Sequence, residues 1–158
     1  FPLYVGNHIL GGSGLVSLLS EEVREKRGLS YNAYSYFFPH REAGPYKIGL
    51  QTRNEKAEEA LQVALKTLSD FVQQGPSAGQ LEAARNNIMG GFVLRLDSNQ
   101  KLTEQVAAIG FYHRPLDYLS TYTDKIRAVT REDVKRAFSA RIDPAKMQTV
   151  LVGGGVKP

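Results

Sequence analysis

The stretch from Leu15 to Tyr34, LVSLLSEEVREKRGLSYNAY, constrains this chain more than any other. Leu15, Leu18, Leu19 and Val23 recur at three-to-four spacing, which predicts a helix with one apolar face. Glu21, Glu22, Glu25, Lys26 and Arg27 form its polar face, and the cations gather in the last turn, where they favour the negative end of the helix dipole. Gly28 follows where a helix can close in a left-handed conformation without steric cost. LSYNAYSYFF then alternates and is rich in aromatics, the pattern of a strand. Helix, glycine stop and strand bring Arg24 and Tyr31 within reach of one point in space. Strict alternation puts Tyr31 on the face of positions 33, 35 and 37, with Tyr34 and Tyr36 on the other.

The rest of the chain reads as one α+β domain spanning 1–158, a mostly antiparallel sheet with several helices packed on one face. Phe1 to Val5 reads as the tail of a strand, and Gly6 to Leu10 as the start of a helix that Gly11, Gly12 and Gly14 interrupt. Leu29–Phe38 pairs naturally with Tyr46–Arg53 across a proline-flanked turn at Pro39–Pro45. Asn54 is placed to cap a helix over Glu55–Gln74, which Gly75-Pro76 ends. Ser77–Gln80 and Thr130–Asp133 have the spacing of capping boxes for two further helices. Between them, apolar repeats over Leu81–Leu96, Leu102–Ile109 and Tyr118–Ile126 predict helices broken near Asp97–Asn99 and at Arg114-Pro115. Met147–Val152 (MQTVLV) reads as a closing strand that runs into three glycines.

Composition narrows the function classes. Twenty basic residues are interleaved with 16 acidic ones, so the net charge of +4 describes a solvated surface and not a nucleic-acid face. The absence of cysteine removes disulfides, thiolate metal sites and a cysteine nucleophile. No apolar run approaches the roughly 20 residues of a membrane span. The chain begins without Met or a signal segment, and it reads as a piece of a longer polypeptide cut on its N-terminal side. A periplasmic or cell-envelope home fits these features, as others would.

The run V-R-E-K-R-G-L-S-Y resembles the signature of the pitrilysin-like zinc peptidases, the group of insulin-degrading enzyme and the mitochondrial processing peptidase. Asn7 to Gly12, N-H-I-L-G-G, resembles the family's N-x-x-L-G-G, and the order of later elements follows the same plan. In that family a second, non-catalytic half carries an Arg and, seven residues later, a Tyr, both facing a zinc site built by the other half. The resemblance therefore implies that Arg24 and Tyr31 bind substrate and support the scissile carbonyl in the transition state. It places Gly11 and Gly12 near bound peptide. It also implies a zinc-bearing catalytic half or subunit as partner, in a dimer or pseudo-dimer.

The residues themselves bear on each of these expectations. His8, His40 and His113 are isolated, and none lies in an H-x-x-E-H or H-E-x-x-H arrangement. The chain is expected to bind no catalytic metal and to be inactive alone, with zinc on the partner half. The Gly11–Gly14 loop lacks the lysine and hydroxyl of a phosphate-binding loop, which favours packing or a hinge. A guanidinium and a phenol both donate to a carbonyl oxygen, and aimed at a developing oxyanion they stabilise the transition state above the ground state. Against that, Arg24 has a plain structural role open to it as the partner of an acid such as Glu21, and Tyr31 as one more strand aromatic. Thr52 and Arg53, ending the second strand, stand near the same place. The alternative function is a structural or assembly domain of the same fold without peptidase activity.

Overall fold

A computed structural model of the chain describes residues 1–154. Its elements are α1 (Pro2–Asn7), α2 (Leu18–Ser20), β1 (Ser30–Phe37), β2 (Tyr46–Thr52), α3 (Ala57–Gln74), α4 (Ala78–Phe92), α5 (Asn99–Phe111), α6 (Tyr118–Ala128) and α7 (Arg131–Arg141). Wide π-type turns at His8–Gly12 and Glu21–Glu25 extend α1 and α2. β1 and β2 form an antiparallel hairpin, so the architecture is α+β as expected, with the helices supplying most of the core.

The core forms where α1, α2, α3 and α7 meet the inner face of the hairpin. Val5, Leu10, Leu19, Val23, Ala33, Leu68, Val134 and Phe138 are all fully buried there. Phe138 is packed edge-on by Phe71, with ring centroids 5.0 Å apart. α1 crosses α7 at Gly6, where an added Cβ would lie 2.8 Å from Val134 Cγ1 and closer still to the Phe138 ring. Both expected capping boxes are present: Ser77 and Gln80 open α4, and Thr130 and Asp133 open α7. Gly75 closes α3 with φ 71°.

Four expectations about the elements need correction. Phe1–Val5 is helix and not strand. Pro2 sits at the first turn, where its fixed φ is preorganised and its missing N–H is no loss, and the Val5 N–H bonds the Phe1 carbonyl at 2.9 Å. The helix before Gly28 starts at Leu18, because Ser17 caps it by accepting from the Ser20 N–H at 3.3 Å. That leaves Leu15 and Val16 in an exposed turn, 58% and 82% accessible. Met147–Val152 is extended chain without a ladder. A groove of about 440 Å³, lined also by Leu61, Ala64 and Leu65 of α3, separates it from Ile48–Thr52, so its main chain does not reach the free edge of β2. The last of its three glycines, Gly155, lies outside the described residues. Asn54, expected as a side-chain cap, instead lies in a 3₁₀ turn (Asn54–Lys56) that leads into α3.

Candidate functional site

Two local irregularities bring Arg24 and Tyr31 together. The first is the end of the helix. The turn over Glu21–Glu25 is one residue wider than α-helical, and Gly28, at φ 59°, then reverses the chain. The Gly28 N–H bonds the Arg24 carbonyl at 2.8 Å, and the Leu29 N–H bonds the Val23 carbonyl at 2.9 Å. The second is at the start of β1. Ser30 pairs with Thr52 and Ala33 with Leu50, so β1 carries one more residue than β2 between these pairs, a β-bulge at Tyr31–Asn32. Ser30, Ala33 and Ser35 all point inward, while Tyr31 and Asn32 both point out. The bulge overturns the strict alternation: Tyr31 shares the outer face with Tyr34 and not the face of positions 33, 35 and 37.

The bulge is pinned from within. Ser30 Oγ lies 2.6 Å from the Gln51 carbonyl and 2.8 Å from that of Asn32, and it accepts from the Asn32 N–H at 3.2 Å. Thr52 donates to the Leu29 carbonyl at 2.5 Å, so it clamps the mouth of the hairpin and has its hydroxyl committed there. Arg53 points away and pairs with Glu55 at 3.6 Å.

On this platform the Arg24 guanidinium stands 5.0 Å from the centroid of the Tyr31 ring, within cation–π range. Tyr31 is 83% exposed, whereas the Arg24 side chain is 28% exposed. Arg24 touches the Glu25 carboxylate through Nε at 3.5 Å, and not Glu21. Glu21 takes Lys26 at 2.8 Å, and Glu22 takes both Lys26 and Arg27 at 2.6 Å. The hydrogen bonds from those two cations hold the Glu22 carboxyl below its ordinary pKa. Among the described residues, the terminal nitrogens of Arg24 and the Tyr31 hydroxyl make no hydrogen bond. They are two donors facing outward from one stack.

The glycine motif is next to this platform and supports it from behind. Asn7 donates from Nδ2 to the Ser35 carbonyl at 3.1 Å and accepts from the Ser35 hydroxyl at 2.8 Å, tying α1 to β1. Gly11 is buried against that link. A Cβ there would overlap the Ser35 backbone nitrogen and hydroxyl and lie 2.8 Å from Leu19 Cδ1. Gly12 is exposed, but a Cβ on it would come within 2.8 Å of Asn7 Nδ2. Leu10 fills the core. The motif therefore has a packing account, residue by residue, and only Gly12 of its glycine pair reaches the surface. Leu15, expected on the apolar face of the helix, is exposed with Val16; the Ser17 cap was the signal that would have placed both outside the helix.

The donor set does not fit zinc. His8 is half-buried beside Asn87, and burial lowers its pKa. His113 Nε2 lies 3.2 Å from the Arg41 guanidinium. Among the described residues no three His, Cys, Asp or Glu side chains converge as a metal site, and no helix is long and apolar enough to cross a membrane.

Comparisons with known proteins identify the family. Residues 1–88 match the family model described as the peptidase M16 inactive domain. A crystal structure of a peptidase M16 inactive domain from Pseudomonas fluorescens is 36% identical and superposes with a TM-score of 0.86, covering 92% of this chain and 34% of that one. The uncharacterized zinc protease YmxG of Bacillus subtilis is 31% identical over 104 residues, 65% of this chain and 25% of its own. An uncharacterized zinc protease of Mycobacterium bovis is 26% identical over 143 residues, 85% of this chain and 33% of its own. The chain thus spans a quarter to a third of the length of the relatives it matches. It belongs to the peptidase M16 family, in which it corresponds to the inactive domain.

Proposed function

We propose that this domain is the substrate-binding, non-catalytic half of a zinc-dependent metalloendopeptidase, and that Arg24 and Tyr31 donate to the scissile carbonyl of a peptide held against a zinc-bearing half. The observation that carries the reading is the outward-facing Arg24–Tyr31 stack, built by a wide helical turn and a bulge in a chain without a metal site among its described residues. The metal and its activated water belong to the other half, and this chain supplies donors. A guanidinium stacked on a ring keeps its N–H edge free, and a neighbouring phenol adds a third direction of donation. Both groups gain most as the carbonyl oxygen acquires charge, so they lower the barrier more than they tighten ground-state binding. Gly12 is exposed, as are Leu15 and Val16 in the turn that follows, and in this reading Gly12 would contact the peptide. Closure of the two halves would dehydrate the stack and strengthen it.

The test is peptide cleavage by the assembly of this chain with its zinc-bearing half, comparing wild type with Arg24→Ala and Tyr31→Phe. Losing one oxyanion donor is expected to lower kcat by about 10²–10³-fold, with KM changed far less and zinc content constant. Unchanged kcat in both variants, or an assembly that cleaves nothing, would make the domain a scaffold.

A further inference from the structure

The side of the molecule formed by α1, the end of α4 and the start of α6 holds a second cleft, of about 300 Å³. Its walls are aromatic: Tyr122 stacks on Phe92 with centroids 4.4 Å apart and planes at 17°, and Tyr118 meets Tyr122 edge-on at 6.0 Å. Two guanidinium groups line it. Arg95 donates to the Tyr4 hydroxyl at 2.8 Å, and Arg114 lies over the Tyr118 ring, 4.6 Å from its centroid. Among the described residues neither arginine has a carboxylate partner. The hydroxyl of Tyr122, a residue only 5% exposed, is buried beside that of Tyr4. Burial raises its pKa, and the side chains that act on it, Tyr4, Arg95 and Tyr118, all line the cleft. The Tyr122 hydroxyl therefore sits among the same polar tips as the guanidinium groups.

Two cations without counter-ions beside apolar walls select an anion with an apolar body, and charge-assisted bonds to arginine favour a carboxylate. The volume is at the lower end of ligand pockets, which limits the occupant to about the size of one amino-acid residue. We propose that this cleft binds a carboxylate carried on an aromatic or branched aliphatic group, with Arg95 and Arg114 holding the charge and Phe92 and Tyr118 covering the apolar body. A free small acid and the C-terminal residue of a peptide share this chemistry.

Calorimetric titration of the intact chain tests it, with 3-phenylpropionate, a short peptide ending in phenylalanine, and the same peptide amidated at its C-terminus as probes. Saturable binding of a carboxylate probe is expected, weakened about tenfold or more by Arg95→Gln. The amidated peptide should bind at least about tenfold more weakly than the free acid. Tight binding of phenylpropionate identifies a small acid as the source, and binding of the peptide alone identifies a chain terminus. Equal affinity for acid and amide, no saturation into the millimolar range for either carboxylate, or indifference to Arg95→Gln overturns the proposal.

Discussion

Gly11 offers the sharpest test of how the site is supported. Replacing it by alanine adds one methyl group, and the direction of the effect depends on what that methyl meets. It would overlap the Ser35 backbone nitrogen and hydroxyl and lie 2.8 Å from Leu19 Cδ1. Leu19 is fully buried, and the Ser35 nitrogen belongs to a paired strand, so neither moves freely. Overpacking of this kind costs about 1–3 kcal/mol. Pushing β1 outward also strains the two hydrogen bonds between Asn7 and Ser35, each contributing about 1 kcal/mol. Alanine recovers at most about 1 kcal/mol of helical propensity. The net loss is about 3 kcal/mol, or about 6–12 °C in Tm for a domain of this size. Gly90 of α4 is the control: a Cβ there meets nothing within 4 Å, so Gly90→Ala keeps only the propensity gain and raises Tm by about 2–4 °C. Differential scanning calorimetry of both variants decides the matter. If Gly11→Ala is neutral or stabilising, the close approach of the first wide turn to β1 is wrong, and with it the packing account of the motif.

Two other perturbations follow from the same geometry. Burial pushes the Tyr46 hydroxyl up to about 12, above the value near 10 of an exposed tyrosine. Its contribution to stability is therefore complete below pH 10 and lost as pH rises through 12, roughly 3 kcal/mol in all. Chemical denaturation between pH 9 and about 12 should show Tyr46→Phe with a shallower alkaline decline; a wild-type slope in the variant would contradict this. Ser30→Ala removes the oxygen that holds the bulge and leaves the main chain of Asn32 and Gln51 short of partners, at about 1–3 kcal/mol. Amide hydrogen exchange at Asn32 should accelerate by more than the global loss of stability explains, and uniform acceleration along β1 would refute the anchoring role.

What the sequence disclosed and what it hid divide along physical lines. The capping boxes at Ser77 and Thr130 were legible because their partners lie three residues away and need no tertiary context. The hairpin was legible because alternation and a proline-flanked turn are both local. The meeting of Arg24 and Tyr31 was legible through spacing, since a helix end, one glycine and a strand start leave little freedom. The facing of Tyr31 was not, because a bulge inserts a residue without any signature in SYNAY beyond an asparagine among aromatics. Phe1–Val5 and Met147–Val152 failed as strands for a related reason. Five or six apolar residues satisfy either periodicity, and whether they extend depends on a neighbouring edge that the sequence does not show.

The two irregularities around Arg24 and Tyr31 bear on why the pair is there at all. A regular hairpin entered from a regular helix would turn Tyr31 toward the core with Ala33 and Ser35 and would need no bulge. Here the helix carries a wide turn, the strand carries an extra residue, and Gly28 joins them at a positive φ. Each departure forgoes ladder or helix hydrogen bonds, and each is held by dedicated groups: Ser30 and Thr52 at the bulge, Asn7 and Gly11 behind β1. The outcome is an aromatic ring 83% exposed to solvent with a guanidinium over it. Burying that ring would stabilise the domain by the usual worth of apolar area, so packing alone gives no reason to turn it out. The proposed role in receiving a peptide would supply one.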